Sequence, residues 1–597
     1  MNFKKLTSTE ILIHVFSLIL LFMAGYYYLE RTLPFDGAFY SFRMAETGWF
    51  CIDNYRYGVT HTQMLSLLLL MLGCSLKVFL ISYSVSFVLC NYIICLVILR
   101  IYKQPKLSLG LLFATILSYT YKFFYPVSEI HSTVAPLFLF AAHVFRFENK
   151  KNNVVYFLVA ALLIIWFLFI HLISIIPAFF ILAYYVSVSR PLKKSFPVVV
   201  FSAVFLGVTF MLSKTFLSTQ YLESKMIGVR ELMKFISNPN GAPGYTYFKN
   251  EFLFNYLPLE AAYLIAIVFL LLKKEFLQLL TLVAFTVGTW LIIMAYNLSP
   301  DAPMVYMNYY SLFGFYVAFP FCLYVVDYIA VKKFTTIYAF LLVCSLVGII
   351  RSGALMSDQV NYYKRVTSNM KTAKAIVHPA NVEWNSVWMA WDLSFQSFLL
   401  TASENPQQAK TFFTSEDTVL INKQKLLSNS GSFFNTPFSP TWFKPPFKNK
   451  KYFTLPSATY TYLNTIQDSL YQDSLLSTKN IEIQADDNTL YLLKNNFRII
   501  PITVINHNSF ILPSIPGSKK QINLSYHVYN SNKEVVVDSG KKSHLEADIQ
   551  PNGSILTGLS IDCTHMHRGR VYYIDVDLVI EKKRWLKINK QVKLILI

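Results

Sequence analysis

Charge is what this sequence has little of. Only 14% of its 597 residues are Asp, Glu, Lys or Arg, 54% are apolar, and the mean hydropathy is +0.42. A soluble chain carries about 25% charged residues. Cysteine is scarce too. Of the seven, Cys90, Cys95, Cys322 and Cys344 lie inside apolar runs, Cys74 ends another, and only Cys51 and Cys563 lie clearly outside. That pattern is neither a disulfide framework nor a metal-ligand cluster. No glycine-rich phosphate loop, Cys/His metal spacing or nucleophile elbow occurs. Ionisable residues within the apolar runs are few, among them His14, His171, Glu260 and Asp327. Proton- or ion-coupled transporters carry such groups near mid-membrane, so the shortage argues against one.

Long apolar runs, by contrast, are plentiful. A spanning helix needs about 20 apolar residues. Candidates are 10–29, 79–101, 107–124, 130–147, 154–170, 171–188, 196–213, 256–272, 276–297, 308–331 and 335–350. The run "MLSLLLLMLGCSL" at 64–76 is short for a span and reads as re-entrant or interfacial. Leaving it out places Lys4/Lys5, "YKQPK" (102–106), "FENKKNN" (147–153), "SRPLKKS" (189–195), "KKE" (273–275) and "VKK" (331–333) on one side. Every one is basic, which marks the cytoplasmic side. Counting 64–76 as a span would put the later basic loops outside. The expected topology is therefore about eleven transmembrane helices, N-terminus inside, C-terminal tail outside. The run after Lys4 and Lys5 has no small-residue cleavage site behind it, so it reads as a signal anchor. Net charge is +20. Topology explains the basic loops of the first half, so nucleic acid is not an expected partner.

Charge also divides the chain. Residues 1–350 hold 25 Lys/Arg and 14 Asp/Glu, and residues 351–597 hold 28 and 19. Three regions are expected: 1–350 a polytopic α-helical membrane domain, 351–496 a mixed α/β extracytoplasmic region, and 497–597 all-β. In the middle region "TYLNTIQDSLYQDSLLS" looks helical, and Trp384, Trp388 and Trp391 suit sugar stacking, a core or an interface belt. In the last region "RIIPITVIN", "KQINLSYHVYN", "KEVVVDS", "SILTGLSIDC", "RVYYIDVDLVIE" and "WLKINKQVKLILI" alternate like strands between turn residues, as in an Ig-like sandwich.

The polar residues of the first region gather at the outer helix ends. "PFDGAFYSFR" places Asp36 just past the first span, with Tyr40 and Arg43 after it; Arg56 and His61 follow in the same loop. "FYPVSEIHST" holds Glu129 and His131 in the next outward loop, with Lys122 before it. The stretch "LSTQYLESKMIGVRELMKFI" is amphipathic and includes Lys225, Arg230 and Lys234.

An outward first loop with an early aspartate, an interfacial segment before the second span and an acid in the second outward loop resemble the GT-C superfamily of membrane glycosyltransferases, over roughly residues 1–350. The resemblance implies a polyprenyl-phosphate sugar donor and an inverting transfer to a cell-surface glycan, lipid or protein outside the cytoplasmic membrane of a bacterium. Asp36 matches the family's first-loop aspartate, a base or acceptor-positioning group, and Glu129 the second-loop acid, with His131 beside it. Tyr40, Arg43, Arg56, His61, Lys122 and Arg230 are then the substrate-binding candidates. The family's paired "DE" is broken here by Gly37, so a two-carboxylate or metal-binding role is not carried over, and a divalent metal stays an open question. The C-terminal region, from "INLSYHVYN" through Val536–Gly540 to Asp577–Trp585, resembles a small β-sandwich of bacterial glycan-processing proteins. Taken by themselves, Asp36 is also readable as a solvated acid, His131 as a local cap and Arg230 as an amphipathic-helix charge. The alternative function is a non-enzymatic glycolipid transporter or assembly subunit with a glycan-binding tail.

Overall fold

The computed structural model describes residues 7–34, 36–53, 55–127, 129–146, 154–188, 192–216, 229–249, 255–295, 303–325, 331–377, 382, 393–414, 449–456, 458, 460–463, 480–485, 489–492, 497–508, 512, 522–545, 549, 552–567, 569–580, 584–588 and 590–596. The three tryptophans 384, 388 and 391, Lys225, and most of the expected helix 461–477 lie outside these residues. The two described positions that open the latter, Thr461–Tyr462, form a strand instead.

The chain divides into two units. The first comprises residues 1–364, 395–409 and 447–454; the second comprises 365–394, 410–446 and 455–597. Among the described residues five helices are long and apolar enough to cross a membrane: Ser8–Tyr26, Leu76–Arg100, Phe196–Thr215, Phe276–Ala295 and Thr335–Asn369. Six shorter apolar helices, Pro105–Leu117, Ile130–Phe145, Val154–Leu168, Leu172–Val188, Leu257–Leu272 and Tyr309–Leu323, overlap the other expected spans. Side chains facing away from the bundle remain apolar, among them Phe22, Leu162, Val204, Leu264, Leu280 and Phe340, each more than half exposed. Such a surface suits a hydrocarbon solvent and is costly in water.

Met64–Met71 is a helix of only 8 residues. At 1.5 Å per residue it reaches about 12 Å, too short to cross a bilayer. Composition changes at residue 350, but the backbone does not, for the helix Val331–Asn369 runs on without a break.

The second unit holds two β arrangements. Strands β1 (Lys374–Val377), β2 (Thr411–Thr414) and β3 (Thr461–Tyr462) form a parallel sheet ordered β2-β1-β3. The rest form two facing sheets. One is β10 (Ser554–Asp562), β6 (Phe497–Asn506) and β4 (Ile481–Ala485). The other runs β5 (Thr489–Leu492), β13 (Lys590–Leu596), β11 (Val571–Ile580), β7 (Ile522–Asn530) and β8 (Val535–Val537). The short β9 (Ser543–His544) and β12 (Arg584–Trp585) pair with β7 and β11. Six expected strand segments are present, and β4 and β5 join them from before residue 497. Alternation explains the core: Tyr526, Val528, Ile574, Val576, Val592 and Leu594 are at most 1% exposed.

Two sequence signatures of the sandwich have plain structural duties. The buried Asp577 carboxylate accepts the backbone N–H groups of Leu578 (2.8 Å), Lys587 (2.7 Å) and Ile588 (2.9 Å), which fixes the return after β11. Gly540 sits on the Tyr526 ring, where a Cβ would come within 2.3 Å of it.

Candidate functional site

The first span ends at Tyr26, and the chain makes one short helix, Tyr28–Thr32, before the helix Asp36–Thr47 begins. Asp36 lies in the first turn of that helix and is exposed. A carboxylate there is favoured by the helix dipole. The helix ends at Gly48, whose φ of +66° suits the left-handed cap that glycine adopts cheaply. Its N–H reaches the Met44 carbonyl at 2.9 Å.

Gly37 is explained by packing. A Cβ at this position would lie 2.9 Å from the Thr32 carbonyl oxygen and 3.4 Å from that of Arg31. The backbone of the two short helices touches here, and a second acidic side chain beside Asp36 has no room.

Phe39 and Phe42 anchor this helix. Their rings meet Phe395 at 5.6 and 5.3 Å, and Phe42 meets Phe453 at 4.9 Å. Asn449 adds a hydrogen bond from its side-chain amide to the Ala45 carbonyl at 2.8 Å. Residues 395–409 and 447–454, far along the chain, thus belong to the unit that presents Asp36.

The rest of the first loop is held at separate points. Cys51 is held by a two-way amide clamp: its N–H donates to Gln63 Oε1, and Gln63 Nε2 donates to its carbonyl, both at 2.9 Å. Burial pushes the Cys51 thiol up to about 12. Arg43 hydrogen-bonds this thiol, and the charges of Arg43, Asp53 and Asp36 all act on it. Asp36, Arg43 and Asp53 thus all lie within electrostatic reach of one buried thiol. Tyr40 is buried and Arg56 half-exposed. His61 Nδ1 bonds the Gly58 carbonyl at 2.7 Å, and its ring stands edge-on to Trp166 at 5.1 Å. Burial lowers its pKa, so it is neutral at pH 7. Gly58 permits this docking, since a Cβ would lie 2.6 Å from the Trp166 carbonyl oxygen.

A second grouping is buried. Lys122, expected at the outer surface, is 0% exposed and donates to the Tyr125 carbonyl at 2.9 Å. His131 is 5% exposed; its Nδ1 pairs with Ser311 Oγ at 3.2 Å, its ring lies 4.9 Å from Tyr119, and its Nε2 has no hydrogen-bond partner among the described residues. Lys122 and Arg31 both lie within electrostatic reach of His131. Glu129 opens the short helix Glu129–Ser132, and Arg230 lies in the helix Val229–Ser237; their side chains are outside what the structure describes.

Arg31 is the residue that sequence reading missed. It is 1% exposed, and its guanidinium lies 4.0 Å over the Phe123 ring. Nε donates to Ser84 Oγ at 2.8 Å, Nη2 to the Ser84 carbonyl at 3.2 Å, and Nη1 to the Phe123 carbonyl. Every acceptor is neutral. Burial alone lowers its pKa, to about 10, so it stays charged at pH 7. One side chain thus ties the first loop to the helix Leu76–Arg100 and to the approach of the Glu129 loop. The only sequence signal was an arginine directly after an apolar run, which reads equally well as an interfacial anchor.

Among the described residues, no three of His, Cys, Asp and Glu come together in a group able to hold a metal ion. Comparison of the chain with protein-family models, with curated proteins and with solved structures gives no match.

Proposed function

We propose that this chain is a GT-C-like glycosyltransferase of the bacterial cytoplasmic membrane, with eleven spans, the N-terminus inside and the tail outside. It transfers a sugar from a polyprenyl-phosphate donor to a cell-surface glycan, lipid or protein. The observation that carries this reading is the occurrence, within six residues of sequence, of an exposed carboxylate and a buried cation whose hydrogen-bond partners among the described residues are all neutral. Asp36 is the carboxylate and Arg31 the cation.

The chemistry needs both charges. As the acceptor hydroxyl attacks the anomeric carbon, the new C–O bond forms while the bond to the lipid phosphate breaks. Asp36 takes the hydroxyl proton. The departing phosphate carries the negative charge away, and a fixed cation in a dry surrounding stabilises it more than one in water does. Arg31 is such a cation, and Lys122, like Arg31, lies within electrostatic reach of His131. The donor's lipid tail stays in the bilayer, which places the reaction at a helix end. Exposed Trp49, Tyr55 and Tyr57 in the first loop suit the membrane interface.

The test is sugar transfer from a synthetic polyprenyl-phosphate donor by purified protein. Asp36→Asn is expected to insert and fold as the parent and to lose transfer by at least about a hundredfold. Near-parental transfer by that variant removes Asp36 from the reaction.

A further inference from the structure

The larger sheet of the C-terminal sandwich has an outward face that differs from an ordinary solvated one. Strand register places Tyr529, Tyr573 and Lys593 side by side across β7, β11 and β13. The neighbouring row is His527, Asp575 and Gln591. Residues between these along each strand, such as Val528, Ile574 and Val592, enter the core, so both rows point the other way.

The side chains of the two rows are arranged for contact with something flat and polar-edged. Gln591 donates to Asp575 Oδ1 at 2.9 Å, which joins an amide to a carboxylate across the two strands. The His527 ring lies 4.3 Å from that of Trp585, tilted by 36°, and Asp538 stands 4.0 Å from His527 Nδ1. Asp577 holds the return that carries Trp585, through its bonds to Lys587 and Ile588. The Tyr573 side chain is half-exposed and makes neither a hydrogen bond nor a ring contact within the described residues. Rows two residues apart are spaced by about 7 Å. Aromatic planes therefore alternate, at the scale of one pyranose ring, with side chains that donate and accept hydrogen bonds. A sugar presents the matching surfaces, an apolar C–H face and a rim of hydroxyls. A protein partner would ask for an apolar anchor pocket instead.

We propose that this face binds a saccharide chain, with sugar rings stacked on Tyr529, Tyr573 and Trp585 and their hydroxyls bonded to Asp575 and Gln591. The inference does not depend on what the helical unit catalyses.

The test uses the full-length chain in nanodiscs and four soluble probes: malto-, cello-, chito- and mannohexaose. Saturation-transfer NMR reads the binding. At least one probe is expected to bind saturably, to bind about tenfold more weakly to Tyr573→Leu and to Asp575→Asn, and to bind unchanged to Tyr573→Phe, which keeps the ring and reports on the fold. Asp36→Asn, a change in the helical unit, is expected to bind as the parent does, which separates this face from the transfer reaction. Absence of saturable binding by all four probes overturns the proposal. So does binding that Tyr573→Leu and Asp575→Asn leave undiminished.

Discussion

Arg31 and Ser84 are bonded twice: Nε donates to the serine hydroxyl at 2.8 Å and Nη2 to its carbonyl at 3.2 Å. Ser84 in turn donates its hydroxyl to the Ala24 carbonyl at 2.6 Å. A buried charge is thereby secured by dipoles alone. Replacing Arg31 by alanine would remove its hydrogen bonds to Ser84 Oγ and to the Ser84 and Phe123 carbonyls and open a cavity. The expected cost is about 2–4 kcal/mol. Thermal unfolding in detergent reads it, and Arg31→Lys should recover part of the loss by keeping charge and one donor.

Gly37 makes a sharper comparison. Its substitution by alanine puts a methyl 2.9 Å from a backbone oxygen that no side-chain rotation can move. A loss of about 1–3 kcal/mol is expected. Gly48→Ala meets no atom within 4 Å and loses only about 1 kcal/mol, through its left-handed φ. Equal unfolding midpoints for the two variants would mean that the contact at Gly37 is absent in solution.

The Cys51 thiol is both buried and held almost wholly protonated at pH 8 by its pKa of about 12. Thiolate is the species that reacts with maleimide. Peptide mapping of labelled parent protein should therefore find Cys51 unmodified after exposure at pH 8. In Gln63→Ala the amide clamp is gone, the loop opens, and labelling at Cys51 is expected to rise at least about tenfold. Ready labelling of the parent would contradict the buried loop.

Asp577 is a test of the sandwich. It accepts three backbone N–H groups while 1% exposed, and bonds to a charged acceptor are the stronger kind. Asp577→Ala should cost about 3 kcal/mol and disturb the Trp585 surroundings. Denaturant unfolding followed by tryptophan fluorescence measures both effects.

Topology can be read by an impermeant maleimide on spheroplasts. Cysteines placed at the exposed Trp49 and Asp538 should label from outside. A cysteine at Glu275, in the basic loop "KKE", should label only after lysis. Outside labelling at Glu275 would invert the arrangement.

Local pattern made much of the fold legible. Apolar runs mark helices because a spanning segment must satisfy its own backbone, and the eleven expected runs all contain apolar helices in the described structure. Alternation marked six strand segments of the sandwich, since period two is imposed by the pleat. Asp36 was legible as an exposed acid beside a span because its position follows from chain order alone.

What the sequence left open depended on contacts between distant residues. No local signal says that Arg31 turns inward to Ser84, that Lys122 is buried, or that Phe395 and Phe453 back the helix of Asp36. Nor did Gly37 announce itself as a packing contact rather than a lost acid. The sequence by itself determined which segments are apolar, which alternate and where charge is confined, because those are properties of neighbours along the chain. Only the tertiary structure decided which charges are buried, what clamps the first loop and which strand residues stand in one row. Burial and register arise when segments far apart in sequence exclude water together.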